Sequence, residues 1–410
     1  MKLLVDIRPL RASTAFRRLW IGTTASTLGG QLTVVAVLTQ VWQLTQSTVA
    51  VGAIGIAQAV PMVVFGLLGG TLADSVDRRR LVLLTTVGQI VTAVLLAAQA
   101  LLGLASLPVV LGLVSAQAAC GGLGAPARKT FAVRLLPEHL VRAGIALNHL
   151  SFQAAMLIGP ALAGVITAQW GAGTCYVIDA ATFAVGLYGV FLLPSMRPEG
   201  QPGRPGLRAA WEGLRFLGKQ PVVRGALLTD VFATVLAMPI ALFPAIADER
   251  FGRPESLGFL LSAIAVGGIL AGTASGVVTR ARRPGAVMLA AAGTWGVGLA
   301  CFGLSPSLWL GLVCLAVAGA ADTISVISRG AIVQIATPDA YRGRVGAVEH
   351  IIGVSGPDIG NFRGGLVAGV STPAFALVSG GLLCVLSLAA LTVANKPLRG
   401  FATAEEAVAR

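Results

Sequence analysis

Long apolar runs, separated by short polar hinges, fill most of the chain. Residues 51–68, VGAIGIAQAVPMVVFGLL, and 81–102, LVLLTTVGQIVTAVLLAAQALL, set the pattern. A bilayer core of roughly 30 Å is crossed by about 20 such residues in a helix. The apolar positions are continuous and do not alternate with period two, so they predict helices and not a barrel. Within a membrane each helix satisfies its own backbone. Twelve spans are predicted, at about 19–42, 48–72, 81–103, 107–127, 143–168, 174–194, 222–246, 256–279, 285–304, 308–333, 345–370 and 374–394.

The longest polar interval runs from Met196 to Arg224 and opens with RPEGQPGRPG, a flexible stretch by its prolines and glycines. In the following LRAAWEGLRFLGK, Leu207, Trp211, Leu214 and Leu217 share one face, which predicts a helix lying in the membrane interface. The chain therefore divides into a six-helix bundle over 1–196, a cytoplasmic linker over 197–221, and a second bundle with a short tail over 222–410. The halves are related. Setting Pro137 on Pro338 also sets Arg128 on Arg329 and Gly159 on Gly360. Duplicated halves of equal topology predict a transporter more than a channel or a membrane enzyme.

Composition agrees with a lipid solvent. Of 410 residues, 55% are hydrophobic and 11% charged, against about 25% charged in a soluble domain. The net charge of +13 would suit a nucleic-acid partner if it were gathered on one face, but it is spread over separate hinges, which excludes that partner. With the N-terminus inside, every Lys and Arg except Arg250, Arg253 and Arg363 falls in an inside segment. The basic excess is thus a topology signal that predicts both termini to be cytoplasmic. The start, MKLLVDIRPLRASTAFRRLW, lacks the apolar core of a cleaved signal peptide. The five cysteines and three histidines form no ligand set, so neither a metal nor another cofactor is expected. No GxxxxGK[ST] loop occurs, so ATP is not expected to drive the protein. No catalytic residues are predicted. The partners left are a small-molecule substrate, protons and membrane lipids.

The hinge GGTLADSVDRRR, Gly69 to Arg80, resembles the loop signature between helices two and three of the major facilitator superfamily. Gly70, Asp74, Arg78, Arg79 and Arg80 match it; Ser75 and Asp77 depart from it. RPLRASTAFRRLW, IDAATFAV, AGAADTISVISRGAIVQIATPDAYRGRVGAV and GPDIGNFRGG resemble the subgroup that includes the bacterial enterobactin exporter. LIGPALAG, Leu157 to Gly164, is similar to the Gly-Pro signature of proton-antiporting exporters. The resemblance covers nearly the whole chain. It implies an all-α membrane protein of twelve helices in two bundles, working by alternating access in a bacterial plasma membrane. Spans one, four, seven and ten would line its cavity, and Asp74 would latch the N-terminus of span eleven.

Charges inside the spans carry the site predictions. Each costs about 2.5–3.5 kcal/mol at mid-bilayer on insertion scales. Asp322 in span ten, Asp230 in span seven and Asp358 in span eleven are candidate proton-coupling acids. The structural alternative is a buried pair with Arg329 or Arg363 that sets helix register. Gln31, Gln58, Arg363 and Arg329 are candidate cavity groups, and Asn148 and Gln153 further polar ones. Asp179 in span six reads as a cap or packing hydrogen bond. Gly70, Asp74, Arg78, Gly159 and Pro160 are candidate gating residues, with Gly69 and Gly70 serving close approach of helices.

These features predict export of a small organic molecule, such as a drug-like compound, siderophore or other metabolite, by proton antiport. A facilitator or importer on the same fold, and a non-transporting sensor or assembly protein, are the alternatives.

Overall fold

A computed structural model of the chain describes residues 6–104, 106–197, 215–273, 276 and 281–401. The predicted interfacial helix over Leu207, Trp211 and Leu214 lies outside the described residues. Twelve long helices are present among the described residues. They are α1 (Thr14–Thr45), α2 (Thr48–Ala73), α3 (Arg78–Leu101), α4 (Leu107–Lys129), α5 (Glu138–Trp170) and α6 (Ala172–Phe191), then α7 (Pro221–Ala237), α8 (Ser256–Thr273), α9 (Pro284–Leu304), α10 (Leu308–Ala336), α11 (Asp339–Gly369) and α12 (Pro373–Ala394). All but α11 are long and apolar enough to cross a membrane, α7 when taken on to Arg250. The more polar α11 carries Arg342, Arg344, Glu349, Asp358 and Arg363.

The helices form two units, one of Met1–Thr45 with Ala57–Arg204, the other of Gln46–Ile56 with Pro205–Arg410. The first turns of α2 group with the second unit, a division that no polar break in the sequence marks.

Within the first unit α1 packs on α5 and α6, and α3 on α4 and α6. Within the second, α7 packs on α11 and α12, and α9 on α10 and α12. The duplication is therefore one of packing as well as sequence. Helices starting at Leu107, Glu138 and Ala172 recur at Leu308, Asp339 and Pro373, at one constant offset. Small residues set the contacts. A Cβ on Gly159 of α5 would reach within 2.5 Å of the Gln31 Cβ on α1. Its counterpart Gly360 lies against the Thr234 carbonyl on α7. Close approach at the α2 end falls to Gly69, which meets the Leu123 carbonyl of α4, whereas Gly70 faces open space. Helix α5 continues through Pro160.

The span predicted over 222–246 is discontinuous. Helix α7 stops at Ala237, a 3-10 turn covers Ile240–Leu242, and a π turn covers Ile246–Arg250. Pro239 has no N–H to give, so the ladder breaks there and frees backbone groups. Side chains take them up. Arg363 donates to the Leu236 carbonyl, and the Ala241 N–H donates to Asn361 Oδ1 at 3.1 Å. Trp295 Nε1 donates to the Ala233 carbonyl at 3.2 Å.

Candidate functional site

The second unit holds a buried charge cluster. Arg329 of α10 pairs with Asp230 of α7, and both side chains are almost fully enclosed. Glu349 of α11 stands 3.8 Å from Arg329 Nε. Asp322, two turns before Arg329 on α10, is half-buried and interacts electrostatically with both Asp230 and Arg329. Three carboxylates thus share one guanidinium. The sequence placed Asp322 and Arg329 on one helical face, but the acid directly bonded to Arg329 comes from α7.

Two other sequence candidates sit apart from this cluster. Arg363 is engaged with the Leu236 carbonyl at the break in α7. The backbone of Asp358 lies against Gly55 at the start of α2. No ion pair of Asp358 or Arg363 is present among the described residues.

The first unit holds a cavity of about 390 Å³. Gln31, Gln58, Gln89, Gln117 and Arg128 supply its polar wall, and Met62 and Phe183 part of its apolar one. Gln31 and Gln58 were sequence candidates; the others were not. Arg128 Nη2 donates to Thr86 Oγ1 at 2.9 Å and to Gln89 Oε1 at 2.7 Å. Behind the wall, fully buried Asp179 accepts from Thr33 at 2.7 Å and from Gln117 at 3.2 Å, which ties α6 to α1 and α4. Deeper in the unit, Gln40 and Gln99 exchange amide hydrogen bonds at 3.1 Å, and Tyr176 donates to Gln40 Oε1 at 2.7 Å.

At the hinge between α2 and α3, Asp74 is half-exposed and 3.8 Å from Arg78. Arg78 Nε donates to the Ala73 carbonyl at 3.0 Å. Asp77 caps α3 by accepting from the Arg79 N–H at 2.9 Å and the Arg80 N–H at 3.4 Å. It also accepts from the Ser195 hydroxyl and from the Met196 N–H at 3.2 Å. Partial burial pushes the Asp77 carboxyl up, but the hydrogen bonds from Ser195, Met196, Arg79 and Arg80 together outweigh it and hold it below the usual carboxylate value. The departure from the loop signature at Asp77 thus pins the segment after α6 to the start of α3. Arg79 donates to the Phe191 carbonyl and lies over the Phe191 ring.

Two bundles of one repeated topology, each with polar groups enclosed between its helices, define a secondary transporter. The chain belongs to the transmembrane secretion effector family of the major facilitator superfamily, whose profile matches residues 6–409. It is 31% identical over 397 residues to the enterobactin exporter EntS of Shigella boydii serotype 18, covering 95% of each chain. EntS of Escherichia coli O139:H28 is equally similar, at 31% over the same share. Among solved structures, a mutant of the nucleoside transporter NupG superposes with a TM-score of 0.77 at 13% identity, over 92% of this chain and 99% of that one. A mutant of a peptide transporter, POT, superposes with a TM-score of 0.76 at 11% identity, over 94% and 95%. These two share the fold. The chain is a multi-pass membrane transporter, and its family makes it an exporter of small molecules.

Proposed function

We propose that this exporter is driven by proton entry across a bacterial plasma membrane, with both termini cytoplasmic. Its solute is a small organic molecule of the metabolite, siderophore or drug-like kind. The observation that carries the reading is the cluster of Asp230, Asp322 and Glu349 around Arg329. One guanidinium neutralises one carboxylate. With Asp322 and Glu349 protonated the cluster is neutral, and with both ionised it carries two uncompensated negative charges. Such charges are costly within a membrane, so proton occupancy and conformation are coupled. Asp230 holds Arg329 in place, and Asp322 carries the exchangeable proton. Asp358 is a further acid of the pathway. Gly70, Asp74, Arg78, Gly159 and Pro160 serve the gating movements, and lipids surround the bundle. A proton moving down a potential releases about 2.3 kcal/mol per 100 mV, so no ATP is required. The basic residues of the hinges support the orientation.

The test is flux from reconstituted vesicles. Solute accumulation against its gradient should require an imposed pH gradient and stop on adding a protonophore. Accumulation indifferent to the protonophore would remove proton coupling.

A further inference from the structure

The two halves treat one duplicated arginine differently. Arg128 and Arg329 occupy equivalent positions of α4 and α10. Around Arg329 stand Asp230, Asp322 and Glu349. At the same constant offset the counterparts of Asp322 and Glu349 in the first half are Gly121 and Asn148, both uncharged, and α1, which stands where α7 does, carries no acid over Thr14–Thr45. Among the described residues no acid lines the cavity that Arg128 faces and no ion pair of Arg128 is present. Asp179, the nearby buried acid, is not a wall residue and is bonded to Thr33 and Gln117.

The guanidinium is also under-used. Both of its hydrogen bonds leave from Nη2. Nε is buried without a partner, and among the described residues Nη1 makes no bond. A fixed cation in a low-dielectric wall with free donor capacity is costly to keep without a partner. Oxyanions fit a guanidinium edge in geometry and charge. The flanking amides of Gln31, Gln58 and Gln89 offer neutral donors and acceptors to the rest of such a molecule. The cavity volume of about 390 Å³ suits a solute of small-ligand size.

We propose that the first-unit cavity is the binding site for an organic oxyanion of the carboxylate type, with Arg128 as its counter-charge. Arg329, already neutralised by its acids, is left to the proton cycle. This rests on the exporter reading for the anion's being carried outward, and not for its being bound.

The test measures Kd for full-length protein in detergent with matched acid and amide probes: benzoate and benzamide, 2-naphthoate and 2-naphthamide, indole-3-acetate and indole-3-acetamide. A charge-assisted bond predicts that wild type prefers acid to amide by about ten- to hundredfold in at least one pair. Arg128→Gln should abolish that preference and leave amide binding in place. Arg128→Lys should keep part of it. Gly121→Asp is the second variant. Gly121 has room for a side chain, since its nearest neighbour, Gln89 Nε2, is 3.5 Å from a Cβ. It would give Arg128 the acid that Arg329 already has, and should remove the preference with the arginine still present. Equal affinity for acid and amide, binding of no pair, or a preference surviving both Arg128→Gln and Gly121→Asp would overturn the assignment. Failure of proton-driven flux with the acid preference intact would instead strike the coupling reading alone.

Discussion

Arg329 and Asp230 form an enclosed ion pair that joins α10 to α7, their side chains 10% and 6% exposed. Removing one partner of such a pair strands the other charge, at about 3–5 kcal/mol. Asp230→Asn should therefore destabilise the protein strongly, toward the lower end because Glu349 stands ready 3.8 Å from Arg329. The double variant Asp230→Asn with Arg329→Gln should cost less than the sum of the single ones. Thermal unfolding in detergent, run as a double-mutant cycle, checks this. Additive losses would show that the pair is not coupled.

The acids of this cluster were legible unequally. Asp230 and Asp322 stand out in the sequence because they interrupt apolar runs. Glu349 does not, since it lies at the very start of the span predicted over 345–370, just after the arginines of the hinge, where a charge costs little and draws no notice. The ion pair itself was not legible, because a helical face can be computed from spacing whereas the neighbour across a helix interface cannot. Arg128 was visible as the counterpart of Arg329. Its lack of an acid emerges only when the whole neighbourhood of each arginine is compared. Eleven of the twelve long helices follow from hydropathy, whereas α11 is too polar to be read from hydropathy alone. The break in α7 was open to inference from Pro239 and Pro244 but is masked by the uninterrupted apolar run around them.

Helices α8 and α10 touch backbone to backbone. A Cβ on Gly267 would overlap the Ala316 carbonyl, and one on Gly319 the Ile264 carbonyl. Neither neighbour is a flexible side-chain end, so Gly267→Ala and Gly319→Ala should each cost about 1–3 kcal/mol. Gly293 on α9 faces open space. There, Gly293→Ala should be neutral or stabilise by about 0.5–1 kcal/mol. Unfolding midpoints of the three variants separate close helix contact from general loss of glycine.

Asp77 stabilises the hinge by capping α3 and by holding Ser195 and Met196. Losing a cap alone costs about 1 kcal/mol, so Asp77→Ala should lower stability by at least that at neutral pH. The folded-state carboxyl titrates below its ordinary value of 3.8. Its contribution is then complete above the ordinary value and is lost as pH falls through the lower, folded one. The gap between wild type and Asp77→Ala should be constant from neutral pH down to about the ordinary carboxylate value and close in stronger acid. A gap that opens on acidification would contradict the capping role.

Asp322 supplies the sharpest test of coupling. It lies on α10 two turns before Arg329 and interacts electrostatically with Arg329 and Asp230, yet it has no ion pair among the described residues. Asp230 already pairs with the guanidinium through Nη1, so a proton can join or leave Asp322 without breaking that pair. Glu349 is the second acid of the group, but it sits at 3.8 Å from Arg329 and is tied more closely to that charge. Asp322→Asn keeps the size and the hydrogen-bonding capacity of the side chain and fixes it in the uncharged form. The variant should bind solute and exchange it across the membrane down its gradient. It should not accumulate solute when a pH gradient is imposed, because the coupled proton has no carrier. Glu349→Gln should reduce accumulation less, since Asp322 remains. The measurement is flux in proteoliposomes with and without the gradient, alongside counterflow exchange. If Asp322→Asn accumulates solute at the wild-type rate, the exchangeable proton resides elsewhere, and Asp230 is next to be tested. Loss of both accumulation and exchange would instead assign Asp322 to solute binding.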